Sequence, residues 1–196
     1  MKIPLIMTFA CLILAGLAML FVPPTATTMD RPDAGETRPF RLRDTQGATV
    51  TDQDLRGQVV LLYFGYTFCP DVCPTELGYT ARVLRALGTD AERVTPLFVT
   101  VDPERDTAEL LKGYAPLFHP RIRALTGSAE ELAAVYKTFG VTARKVLPTG
   151  GGTHYLMDHS SSITVLDRQG RVAASLSSTD TVARSVATLK ALIAQP

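Results

Sequence analysis

The chain has 196 residues, of which 46% are hydrophobic and 20% charged, values ordinary for a globular protein. Twenty basic residues stand against 19 acidic ones, with no basic block and no aromatic-basic interleaving, so composition gives no footing for nucleic-acid binding. Three cysteines, one of them inside an apolar run and two only four positions apart, exclude a disulfide-stapled scaffold.

From Ile3 to Val22 there is no charged residue, with Lys2 before the run and Pro23-Pro24 after it. A run of about 20 apolar residues matches the ~30 Å hydrocarbon core of a bilayer. It exceeds the ~7–15-residue core of a cleaved signal and is followed by no small-residue cleavage site. Residues 1–22 are therefore expected to form an uncleaved signal anchor, one transmembrane helix with Lys2 on the cytoplasmic side. The expected location is single-pass in a bacterial inner membrane, with the soluble domain facing the periplasm. Cys11 lies inside the anchor and reads as a small apolar residue. Residues 23–37, rich in Pro, Thr and charge, read as a tether. Residues 38–196 are the right size for one domain with its own core.

Phe40–Arg43 and Thr49–Val50 read as an early hairpin. Val59–Phe64 is apolar without alternation, the mark of a strand buried on both faces. After the cysteine segment, Leu77, Ala81, Leu84 and Leu87 recur at helical spacing up to Gly88. Leu97–Val101 is a second buried strand, Thr107–Phe118 a helix and Arg123–Leu125 a short strand. Ser128 with Glu131 forms a capping-box pattern for a helix that Gly140 closes. Ser162–Leu166 and Val172–Leu176 are strands joined by a turn at Asp167–Gly170, and Thr181–Ala194 is the last helix. This order is that of an α/β, thioredoxin-like sandwich with an extra N-terminal β-hairpin, preceded by one transmembrane helix. Sites in such sheets lie beyond the carboxyl ends of central strands. The cysteines fall there, directly after the strand at 59–64.

In the segment Phe64-Gly65-Tyr66-Thr67-Phe68-Cys69-Pro70-Asp71-Val72-Cys73-Pro74, Pro74 suits the first helical position and Cys73 the N-cap, with Cys69 in the preceding loop. A thiol at a helix N-terminus meets the positive end of the dipole, which favours the thiolate needed for both metal binding and disulfide exchange. Structural zinc usually takes four protein ligands, and the domain offers two cysteines and three histidines, His119, His154 and His159. Two thiolates and one imidazole suit copper better. His119, between Phe118 and Pro120, reads as a surface or capping residue, and His154 follows three glycines in a loop. His159, just before the strand at 162–166, is expected to be held rigidly facing the cysteine loop. Redox thioredoxins carry a proline at that entry; here none lies between Pro148 and Pro196, which favours metal over disulfide exchange.

The cysteine segment, then Val101-Asp102-Pro103-Glu104-Arg105-Asp106-Thr107, then Tyr155-Leu156-Met157-Asp158-His159-Ser160, resemble the Sco/SenC family in that order, over roughly residues 38–193. The resemblance implies a thioredoxin-like fold and one copper ion, Cu(I) or Cu(II), ligated by Cys69, Cys73 and His159. It implies a metallochaperone assisting cytochrome c oxidase assembly, chiefly its dinuclear copper centre, by delivering copper, reducing the receiving cysteines, or both. Its implied partners are the copper-receiving oxidase subunit, another copper chaperone as donor, and the membrane. The second motif is not a ligand in the family and is expected to order the adjacent loop, with Asp102 close to it; the alternative is a strand-end turn with Asp106 as a helix N-cap. Met157 stands where the family often has an aliphatic residue, and packing is its expected role.

The competing enzyme reading is a thiol–disulfide oxidoreductase, with Cys69 attacking and Cys73 resolving the mixed disulfide. A peroxidase relative finds no threonine-and-arginine site around a cysteine, and a redox or copper sensor is a further alternative.

Overall fold

The computed structural model describes residues 37–147 and 154–195. The anchor expected at 1–22 and the tether up to residue 36 lie outside the described residues, and among these no helix is long and apolar enough to cross a membrane.

The chain opens with a hairpin, β1 (Arg41–Asp44) and β2 (Thr49–Thr51). It is followed by β3 (Val59–Gly65), whose every residue is buried. Helix α1 (Val72–Leu87) leads to β4 (Val94–Thr100). Helix α2 (Ala108–Tyr114) is capped by Thr107, whose hydroxyl accepts from Leu110 N, and gives way to a 3-10 turn at Ala115–Leu117. It is shorter than the 107–118 expected, because Pro116 brings no N–H to the α-helical ladder.

Next come β5 (Arg123–Thr126) and α3 (Ala129–Phe139). The capping box is present in full: Glu131 N donates to Ser128 Oγ, and Ser128 N donates to the Glu131 carboxylate. Gly140 ends the helix at φ +63°, a left-handed turn that glycine adopts without a Cβ clash. After β6 (Ala143–Val146) and β7 (Leu156–His159) follow β8 (Ile163–Leu166), β9 (Val172–Leu176) and α4 (Val182–Ile193), the last capped by Thr181.

Seven strands form one sheet in the order β2-β1-β5-β4-β3-β8-β9. β3 runs parallel to β4 and antiparallel to β8, and β4 parallel to β5. The early hairpin extends the β5 edge, as expected for an addition to the sandwich. Successive side chains of β3 point to opposite faces. Phe64 meets Tyr136 and Phe139 of α3, while Tyr63 stacks on Phe98, which in turn meets Tyr114 at the end of α2. Covering on both faces is why β3 reads as an unbroken apolar run.

One feature of the architecture has no counterpart in the expected elements. Among the described residues, β6 and β7 pair only with each other, in a two-stranded antiparallel sheet running from Ala143↔His159 to Val146↔Leu156. Their sequences, ARKV and LMDH, are largely exposed and show no clean apolar alternation.

Candidate metal site

β3 ends at Gly65 in the middle of the sheet, and residues 66–71 carry the chain to α1. The loop is tied down by Asp106, a carboxylate only 1% exposed. It accepts from Thr67 N at 3.2 Å, Thr67 Oγ1 at 2.5 Å and Thr100 Oγ1 at 2.7 Å. Burial pushes the Asp106 pKa above the usual carboxylate range, against those hydrogen bonds, and the nearby Asp102 charge adds to the rise. Both expectations for the second motif are thereby refined. Thr107, not Asp106, caps α2, and Asp106 is the residue of the motif that orders the cysteine loop. Asp102 instead pairs with Arg105 Nε at 2.5 Å and accepts the Tyr155 hydroxyl at 2.7 Å.

Helix α1 begins two residues earlier than the proline suggested. Asp71 is the N-cap, Val72 the first helical residue and Cys73 the second, with Pro74 third. Any first-turn position tolerates proline, since none of those amides has a partner within the helix. Cys73 therefore sits inside the first turn, fully buried, rather than at the cap. Its thiol is pushed up to about 12 by burial, with hydrogen bonds from the Tyr63 side chain and the Tyr66 main chain opposing the shift. The dipole argument made for Cys73 belongs to Cys69: its sulfur, half-buried in the loop, accepts the Cys73 N–H at 3.4 Å. No disulfide joins the two cysteines in this structure.

His159 is the last residue of β7, not the entry to the central strand β8. Its position comes from the separate hairpin, where it faces Ala143 and where Ser160 N donates to Thr142 O at 3.2 Å. Nδ1 lies 2.9 Å from Ser160 O. A carbonyl only accepts, so Nδ1 carries the proton, and in the neutral ring Nε2 keeps its lone pair. That nitrogen lies 3.5 Å from Cys73 Sγ. The edge of the ring packs on Tyr66 at 5.7 Å between centroids, with planes at 88°. The Cys69 and Cys73 sulfurs and a His159 ring nitrogen all fall within 4.8 Å of one another.

Among the described residues this is the one group of three or more such side chains able to hold a metal ion. The donor chemistry fits a soft cation: two sulfurs and one imidazole nitrogen, short of the four ligands of structural zinc. His119 is elsewhere, its Nδ1 accepting from Arg121 N at 3.2 Å, and burial lowers its pKa. His154 is exposed and outside the group. Met157 is partly buried against the core, in keeping with packing, and lines a shallow cleft with Tyr66, Cys69, Val72, Leu156 and His159. Reading the sequence alone missed Tyr66 against the imidazole and Arg105 between the loops, although both lie within motifs whose order it recognised.

A family profile described as SCO1/SenC matches residues 28–194. An SCO2-like protein of Rickettsia prowazekii is 36% identical over 169 residues, covering 81% of this chain and 82% of that one. The structure of Bradyrhizobium japonicum ScoI with copper bound superposes with a TM-score of 0.73 at 42% identity, covering 79% of this chain and 97% of that one. Yeast Sco1 with copper bound gives a TM-score of 0.69 at 34% identity, over 81% and 90%. These relatives share its mixed α/β, thioredoxin-like architecture and include copper-bound members, and the chain belongs to the SCO1/SenC family.

Proposed function

We propose that this protein is a copper metallochaperone that binds one Cu(I) or Cu(II) ion through the Cys69 and Cys73 thiolates and His159 Nε2. It would assist assembly of a copper centre in cytochrome c oxidase. The observation that carries the reading is the convergence of those three ligand atoms within 4.8 Å, on elements far apart in sequence. Copper is here the cargo. Thiolates select Cu(I), and the imidazole adds affinity for Cu(II). His159, half-buried on a hairpin outside the main sheet, and Cys69, in the loop before the helix, are better placed than the fully buried Cys73 to be exchanged for the ligands of an incoming partner. Partners of this reading are the copper-receiving oxidase subunit and a donor chaperone. Residues 1–22 are proposed to anchor the chain in a bacterial inner membrane, with the domain in the periplasm.

Competition against a chelator of known affinity, on the reduced full chain, tests this. One tightly bound copper per chain is the expected result, weakened at least about tenfold in Cys69→Ser and Cys73→Ser for either ion and in His159→Ala for Cu(II). A second reading, thiol–disulfide exchange on partner cysteines, is favoured by the pairing of an accessible Cys69 with a buried Cys73 beneath it. Absence of tight copper together with ready reduction of a model disulfide, retained in His159→Ala and lost in Cys69→Ser, would replace the first reading with the second.

A further inference from the structure

Arg105 lies where the two halves of the site meet. Its guanidinium carbon is 3.7 Å from the centroid of the Tyr155 ring and 4.9 Å from that of Phe68. Nη1 donates to the Tyr155 carbonyl at 2.9 Å and Nε to Asp102, whose other oxygen accepts the Tyr155 hydroxyl. Nη2 is buried and has no hydrogen-bond partner. Phe68 directly precedes Cys69, and Tyr155 leads into β7, whose last residue is His159. Along an extended chain residues 155, 157 and 159 share a face. A single side chain thus spans the thiol-bearing and the imidazole-bearing segments.

The two segments do not depend on it equally. Cys69 and Cys73 are placed by β3, by α1 and by the Asp106 carboxylate under Thr67. Among the described residues β7 has only β6 as a strand partner, and an isolated two-stranded hairpin is marginal in water. The hairpin's other ion pairs, Arg144–Asp158 and Lys145–Glu104, are exposed and contribute little. The charged tie between the hairpin and the body of the domain is the Asp102–Arg105–Tyr155 cluster, alongside the Tyr66 contacts with Met157 and His159, the Cys73 Sγ–His159 Nε2 contact and Met157 packing against the core.

We propose that Arg105 is the positioning residue that holds His159 against the two sulfurs. Resting on the copper reading above, this makes affinity for Cu(II) adjustable apart from affinity for Cu(I). Two thiolates satisfy the soft Cu(I) ion, whereas Cu(II) draws on the imidazole. Releasing the hairpin removes an ordered imidazole and leaves the dithiolate in place.

The test uses the full chain as wild type, Arg105→Gln and Arg105→Lys. Hydrogen exchange is followed in the metal-free protein, and Cu(I) and Cu(II) affinities and the nitrogen coupling of bound Cu(II) are then measured. In Arg105→Gln, exchange of the β7 amides rises about tenfold while that of β3 stays unchanged, Cu(II) binding weakens by about the same factor with reduced nitrogen coupling, and Cu(I) affinity stays within about threefold. Arg105→Lys keeps the charge but not the flat fork, and behaves like the Gln variant. It also carries the test should Arg105→Gln fail to fold. Unchanged β7 exchange in a folded variant, unchanged Cu(II) affinity, or a parallel fall in both affinities overturns the proposal. A wild type that binds neither ion would remove the copper reading alone, and the metal-free exchange would still decide whether Arg105 places the hairpin.

Discussion

A Cβ on Gly65 would stand 2.8 Å from a ring carbon of Phe98, 2.9 Å from one of Tyr63 and 3.0 Å from Cys73 Sγ. Two of those atoms belong to stacked core rings and the third to a buried thiol, so none can swing aside into solvent. Gly65 is the floor on which the Cys73 sulfur rests. Gly65→Ala is expected to cost about 1–3 kcal/mol through overpacking, read as a lower urea midpoint, and to weaken copper binding by displacing one sulfur. A midpoint equal to wild type would mean the floor is softer than the packing indicates. The same residue shows what one-dimensional reading loses. In sequence Gly65 is only the end of a strand, and its contact with Cys73 is made by the turn between them. The cysteines and His159 were legible because their chemistry has few alternative uses. Tyr66 and Arg105 have many, and only their neighbours select one.

Elements reach the site in pairs. The loop after β3 and the loop after β4 lie side by side because those strands are parallel neighbours, Gly65 opposite Thr100. Asp106 of the second loop fastens Thr67 of the first. Its native pKa is raised by burial above the ordinary value of 3.8. The stability it contributes is thus full below that value and is lost as pH rises through the raised native pKa. Compared with Asp106→Asn, which cannot ionise, the metal-free wild type should lose ground in urea denaturation as pH rises above the ordinary carboxylate value and through the raised native pKa. A difference that is flat, or that moves in favour of wild type, would contradict the buried-carboxylate account. Strong periodicity, caps and turn residues made most elements readable in advance: the run at 59–64, the Ser128–Glu131 box, the turn at 167–170. The β6–β7 hairpin was not readable, because its strands are half-exposed and its order comes from Met157 packing on the distant core and Arg105 holding Tyr155 rather than from a local apolar pattern.

At the scale of the whole molecule, three candidate ligands from two distant stretches of chain meet only in the folded state. Copper should accordingly bind the native protein and stabilise it. Free copper about a hundredfold above the dissociation constant adds about 2.7 kcal/mol, roughly 5–10 °C in Tm for a domain of this size. Removing the ion with a chelator should return Tm to the metal-free value, and Cys69→Ser should show a much smaller shift. Equal shifts in wild type and variant would locate copper binding elsewhere, in the thiol of Cys11 or on the surface.

By itself the sequence determined the class of fold, the order of its main elements and the identity of the three candidate ligands. Those follow from local periodicity, capping and turn chemistry, and from side chains whose chemistry is specific. Only the tertiary structure decided how the candidate ligands are held. It moved Cys73 from the helix cap into a buried first turn, turned the helix amide onto Cys69, and placed His159 on a separate hairpin instead of the central sheet. It also divided the second motif's work, Asp106 to the cysteine loop and Asp102 with Arg105 to the hairpin. The reason is physical. Periodicity and capping are interactions between residues a few positions apart, whereas burial, orphaned polar atoms and stacked rings depend on which distant segments the sheet brings together.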